Sequence, residues 1–142
     1  MDKTRILFVC IHNSARSQMA EAFVNTFYSD KFVAESAGLE PGKLNPFVVK
    51  SMAEIGIDIS HNKTKDVFEF YRQEKVFDYV ITVCDETSGE RCPVFPGALR
   101  RIHWSFPDPS SFTGSEEEKL EKIAEVRDAI KAKVEEFIKS IK

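Results

Sequence analysis

The stretch Arg5–Phe23, RILFVCIHNSARSQMAEAF, carries the reading of the fold. It opens on a short apolar run, Arg5–Val9, suited to a strand covered on both faces of a parallel sheet. Cys10 stands where that strand ends. Polar turn residues follow, and a helix begins near Arg16 and Ser17, with Met19, Ala22, Phe23 and Phe27 at helical spacing. A buried structural thiol has no need of an arginine six residues later, whereas a nucleophile aimed at an oxyanion does.

Working outward, Lys31–Gly38 (KFVAESAG) reads as a second strand. Asn45–Ile57 (NPFVVKSMAEIGI) reads as a helix with Pro46 at its start and Gly56 at its end. A short helix is expected around Lys65–Arg72. Asp78–Val83 is a third strand, and Arg100–Trp104 (RRIHW) a fourth. From about Glu116 to Lys142 runs a long amphipathic helix, with Leu120, Ile123, Ile130, Val134, Phe137 and Ile141 on one face. Strands alternating with helices predict an α/β fold: a four-stranded parallel sheet with helices on both faces. With no repeat, low-complexity tract or long linker, the 142 residues are read as a single domain, 1–142.

Composition narrows the functional class. A hydrophobic content of 42% and a charged content of 30% are those of an ordinary soluble globular protein, and a net charge of -3 offers no basic field for nucleic acid or an acidic membrane. No segment reaches the length of a membrane span, and the first ten residues are too short and polar-flanked for a signal peptide, so a cytoplasmic address is expected; the polar exterior and single small domain favour a monomer. Three cysteines cannot all be paired within one chain. In a reducing compartment their roles are packing, metal binding or redox chemistry.

The turn after Cys10 carries the chemistry. Ile11, His12, Asn13, Ser14, Ala15, Arg16 and Ser17 are placed to aim backbone N–H groups inward as an anion-binding nest, reinforced by the helix N-terminus. Arg16 adds a planar fork able to grip two oxygens of a tetrahedral anion. The same positive surroundings favour the thiolate form of Cys10. Ser14 or Ser17 is placed to donate to the sulfur, and Asn13 to hold the turn. The plainer alternative is a buried cysteine with an incidental arginine; the strand–turn–helix context weighs against it.

Two further sites lie at carboxyl ends of strands, the edge where open α/β sheets build their sites. Cys84 ends the third strand, and a mostly polar, Gly89-containing loop leads to Cys92, a gap wrong for a zinc knuckle. Asp108, between Pro107 and Pro109 after the fourth strand, is placed to protonate a leaving oxygen, although Pro and Asp also make plain rigid turns. His12, His61 and His103 are not needed as bases once a thiolate exists.

CIHNSARSQMAEAF (10–23), ESAGLEPGKLNP (35–46), GIDIS (56–60), VCDETSGERCPVFPG (83–97) and HWSFPDP (103–109) together resemble the thioredoxin-coupled arsenate reductases, which share their fold with the low-molecular-weight protein tyrosine phosphatases. The resemblance spans nearly the whole chain in the same order. It implies arsenate as substrate and a three-cysteine relay: Cys10 attacks arsenate, Asp108 protonates the departing oxygen, and Cys84 then attacks Cys10 to release arsenite. Cys92 resolves the Cys10–Cys84 disulfide, and thioredoxin reduces Cys84–Cys92. Arsenate to arsenite takes two electrons, which one dithiol-to-disulfide conversion supplies.

Some members of the family hold a potassium ion beside the anion loop, and Asn13, Glu21, Ser36 and Asp66 match the positions of its ligands; no tightly bound cofactor is implied. This chain departs from the common pattern in having Ala15 in place of a second loop cysteine, and Ile11-His12 in place of a smaller pair. The alternatives are a phosphomonoesterase using Cys10, Arg16 and Asp108, a non-enzymatic oxyanion module with no use for Cys84 and Cys92, and a reductase served by glutathione or another small thiol. Ser110 and Ser111 follow Asp108-Pro109, with Phe112 only later, which counts against aromatic walls for an aryl ester.

Overall fold

The computed structural model describes residues 3–83 and 98–141. Four strands, β1 (Thr4–Cys10), β2 (Phe32–Gly38), β3 (Phe77–Thr82) and β4 (Ala98–His103), form one sheet in the order β2-β1-β3-β4. Every pairing is parallel. Helices α1 (Arg16–Phe27), α2 (Pro46–Ala53), α3 (Val67–Arg72) and α4 (Glu116–Ser140) cover it. A 3-10 turn spans Pro109–Ser111. The α/β sandwich expected from the sequence, a four-stranded parallel sheet covered by helices, is therefore present.

β1 shows why an apolar run without polar alternation makes a central strand. Ile6, Phe8 and Cys10 face the larger core under α1, α2 and α4, while Leu7 and Val9 face a smaller one under α3 with Val67, Phe70, Phe77 and Val80. Both faces exclude water, so each large side chain contributes about 1.5–3 kcal/mol by burial. β1 has β2 on one side and β3 on the other, so the chain diverges at its carboxyl end. That is the switch point at which such sheets leave a crevice.

The helix ends follow side-chain chemistry. Asn45 Oδ1 accepts from Phe47 N at 2.9 Å with Pro46 in the first turn, Asp66 accepts from Phe68 N, and Ser115 accepts from Glu118 N. α2 stops at Ala53, short of the expected Gly56, which follows in a left-handed conformation (φ 81°) that closes the helix. On α4 the buried face also takes in Val126, Arg127 and Ile138, because α4 packs on both α1 and α2 and needs a wider stripe. Arg127 is tolerated there by bonds to Ser51 O, Ser51 Oγ and Glu54 Oε2. Among the described residues no helix is long and apolar enough to cross a membrane.

Candidate active site

Cys10 is 2% exposed, at the carboxyl end of β1. The turn after it is held from outside. The carbonyls of Cys10, Ile11, His12 and Ser14 accept from the N–H groups of Leu39, Glu40, Gly42 and Asn45. With no cis peptide bond, each peptide's N–H points away from its carbonyl, so the amides of residues 11, 12, 13 and 15 are turned the opposite way. One of them shows where: Asn13 N donates to Cys10 Sγ at 3.1 Å.

Gly38 permits the close approach. A Cβ there would stand 2.7 Å from Ile11 O and 2.8 Å from Asn13 N. The left-handed residue of the turn is Asn13 (φ 53°), a residue type that tolerates this region, and not His12, so the histidine in place of a smaller residue costs the turn nothing. His12 is exposed and donates from Nδ1 to Glu40 O at 2.8 Å.

Buried polar side chains complete the setting. Ser17 Oγ is 2.9 Å from Cys10 Sγ and accepts from Asn13 Nδ2 at 2.8 Å. Asn13 does not consume the serine's proton, which is free to be given to the sulfur when Cys10 is a thiolate. Asn13 itself is oriented by Lys65 N and Gln18 Nε2, both donating to Oδ1, at 2.9 and 3.1 Å. Asn13 N and Ser17 Oγ thus both meet the sulfur, and the position of the nucleophile is fixed by them. α1 begins behind it with no side-chain cap and no acidic residue in its first turn, which leaves its positive end for an anion.

Arg16 is 3% exposed. Its Nη1 donates to Phe106 O at 3.0 Å, and its Nη2 lies 3.9 Å from Asp108 Oδ2. Asp108 is 27% exposed at its side chain, within reach of both Arg16 and solvent. The segment carrying it is anchored by Trp104, packed on Phe8 and Phe137 at ring separations of 5.9 and 5.7 Å, and by the Trp104–Phe106 edge contact. Ser111 closes the turn by donating twice to Asp108 O.

Cys10, Asn13, Arg16, Ser17 and Asp108 are thus brought together. Cys84 and Cys92 lie outside the described residues. Val83, which precedes Cys84, donates its N–H to Val9 O at 2.9 Å, alongside Cys10. The positions read as potassium ligands are reached by other donors. Ser36 Oγ and Lys65 Nζ both donate to Glu21 Oε1, and Asp66 caps α3. Burial pushes the Glu21 carboxyl above its ordinary value, against the pull of Lys65. Gln18, Lys65 and Gly38 are site residues that sequence spacing did not bring out. None of the three stands out locally, since α1 carries several other polar residues beside Gln18.

Residues 5–142 match the family described as low molecular weight phosphotyrosine protein phosphatase. An arsenate reductase of Shouchella clausii is 41% identical over 137 residues, 96% of each chain. The chain is an arsenate reductase-type member of this family. Among solved structures, an arsenate reductase in the phosphate binding state superposes with a TM-score of 0.81 at 32% identity, over 98% of this chain and 99% of that one. A thioredoxin-dependent arsenate reductase of Corynebacterium glutamicum superposes at 0.69 with 27% identity, over 99% of this chain and 62% of its own.

Proposed function

We propose that this chain reduces arsenate to arsenite with Cys10 as nucleophile, Cys84 and Cys92 as relay thiols, and thioredoxin as reductant. The observation that carries the reading is Cys10 Sγ, held by Ser17 Oγ and Asn13 N, inside a turn whose amides face away from their tethered carbonyls. Arsenate seated on those amides and on Arg16 presents arsenic to the sulfur. An S–As bond forms, and one oxygen leaves as water on protonation from Asp108. Cys84 attacks the Cys10 sulfur; the S–As bond breaks, its electron pair stays on arsenic, and arsenite departs. Cys92 then attacks Cys84 and frees Cys10, and a thioredoxin dithiol reduces the Cys84–Cys92 disulfide. The relatives named arsenate reductase support arsenate as substrate, and the one named thioredoxin-dependent supports the reductant.

The test is arsenate-dependent NADPH oxidation in the presence of thioredoxin and thioredoxin reductase. Turnover in the wild type and its loss in both Cys84→Ser and Cys92→Ser is expected. Turnover that survives Cys92→Ser would replace thioredoxin by another thiol donor.

A second reading has its own observation. A cavity of about 280 Å³ opens beside the turn, lined by Ser14, Phe47, Pro109, Phe112, Lys43 and Lys119 among others. After the 3-10 turn at Pro109–Ser111, Phe112 lines this cavity together with Phe47, and Ser14 is its link to the Cys10 loop. An aryl phosphate seated on the Cys10 loop has room for its ring there. We infer a side activity as a phosphomonoesterase, independent of Cys84 and Cys92.

A further inference from the structure

The geometry points to Lys65 as a tethered cation that positions the oxyanion loop, so that the loop of this chain is set without a bound potassium ion. It rests on the proposed reading only in taking the Cys10 loop as the oxyanion site.

Residue 65 holds three elements at once. Its N–H donates to Asn13 Oδ1 at 2.9 Å, its carbonyl accepts from Gly38 N at 2.8 Å, and its ammonium donates to Glu21 Oε1 at 3.0 Å. The first bond fixes the amide that aims Ser17 at the sulfur. The second fixes the strand end that packs under Ile11 and Asn13. The third neutralises the one carboxylate on the buried part of α1.

Glu21 is 9% exposed, and a carboxylate so placed needs a positive partner and hydrogen bonds. Lys65 Nζ supplies the charge and Ser36 Oγ a second donor. Glu35, the other acid nearby, is engaged by Arg5 and Lys75.

A metal ion does not fit the same place. Asn13 Oδ1 already accepts two donors, Glu21 Oε1 two, and Asp66 Oδ1 is spent on the first turn of α3. A potassium ion on Glu21 would sit within a few ångströms of the ammonium, where two positive charges repel strongly in a poorly solvated site. The lysine resolves the same charge problem by covalent attachment, at no cost in captured ion.

The experiment reads inorganic phosphate binding by calorimetry, in KCl and in NaCl at equal ionic strength, on reduced protein. No turnover is involved, so failure of the reductase reading leaves it intact. Wild type is expected to bind phosphate equally in both salts. Lys65→Met should bind about tenfold more weakly in NaCl and recover in KCl, the added ion replacing the lost ammonium. Lys65→Arg should stay within about threefold of wild type in both salts. Equal binding by Lys65→Met and wild type, or a wild type that responds to potassium, would overturn the proposal. Should Lys65→Met not fold, Glu21→Gln combined with Lys65→Met removes the charge pair together. That variant should lack any potassium response, and a response would equally overturn the proposal.

Discussion

Asn13 Nδ2 stands 2.8 Å from Ser17 Oγ, and which face of the asparagine amide meets the serine is decided by a main-chain N–H fifty-two residues away in sequence. Because Lys65 N can only donate, Oδ1 must face it and Nδ2 must face Ser17. The proton of Ser17 is then left for Cys10 Sγ. Removing that proton should slow the chemistry of the sulfur more than it harms the fold. With Cys84 and Cys92 replaced by serine, so that Cys10 is the thiol observed, Ser17→Ala should lower the iodoacetamide alkylation rate at neutral pH about tenfold. That is the scale of one hydrogen bond to a charged group. Alkylation at the unsubstituted rate would remove Ser17 from the nucleophile's environment.

Arg16 is fixed as a fork before any anion arrives, by Phe106 O on one nitrogen and Asp108 on the other. An ammonium cannot hold both partners in one plane. Arg16→Lys should therefore weaken inorganic phosphate or arsenate binding by roughly 10- to 100-fold, corresponding to the loss of a charged bidentate contact. The thermal midpoint should change by only a few degrees. Calorimetric titration of both proteins checks it.

Gly38 tests whether the loop is a rigid cradle. A methyl group there would lie 2.7 Å from a backbone oxygen and 2.8 Å from a backbone nitrogen, and neither can swing aside as a side-chain tip would. Gly38→Ala should cost about 1–3 kcal/mol in urea unfolding, the range for overpacking, and should weaken oxyanion binding as well. A stable variant with intact binding would mean that the turn yields readily.

These three positions mark how far the sequence could be read. The β1–turn–α1 unit was legible because its signals are local: an apolar run buried on both faces, a cysteine at its end, an arginine where the helix begins. The parallel sheet and the cradle amides follow from that unit and the alternation of strands with helices, whereas the order β2-β1-β3-β4 is known only from the structure. What was not legible depends on contacts between distant segments. Nothing around Lys65 announces that its ammonium reaches Glu21, and no periodicity shows that Phe106 offers Arg16 a carbonyl. Phe112, set apart from Asp108 in sequence by two serines, packs against the main core and lines a cavity with Ser14 and Pro109, a placement that local spacing does not show.

Glu21 gives a pH signature. Burial raises its carboxyl above the ordinary value, with Lys65 and Ser36 opposing. A raised folded value means the folded state holds the proton more tightly than the unfolded chain does. Its contribution to stability is therefore full below the unfolded value, near 4.3, and is lost as the pH climbs through the raised one. The stability of wild type relative to Glu21→Gln, by urea unfolding, should be greater at pH 4 than at pH 7. The opposite slope would mean that the Lys65 ion pair outweighs burial.

The last test separates the two chemistries of one loop. On the proposed reading arsenate, being compact, needs only the turn amides and Arg16 and has no use for the cavity wall formed by Phe47 and Phe112. An aryl phosphate must lay its ring there. Phe112→Ala removes one wall without touching Cys10, Arg16 or Asp108. Half-buried beside the turn, Phe112 contributes on the order of 1 kcal/mol of apolar contact to a bound ring, or roughly fivefold in kcat/KM. Hydrolysis of p-nitrophenyl phosphate should fall by about that factor, through KM, while arsenate-dependent turnover with thioredoxin stays within twofold. Equal losses in both assays would show that Phe112 supports the loop rather than the ester. Loss in neither would take the cavity out of the substrate path and leave any ester hydrolysis to the amides and Arg16 alone.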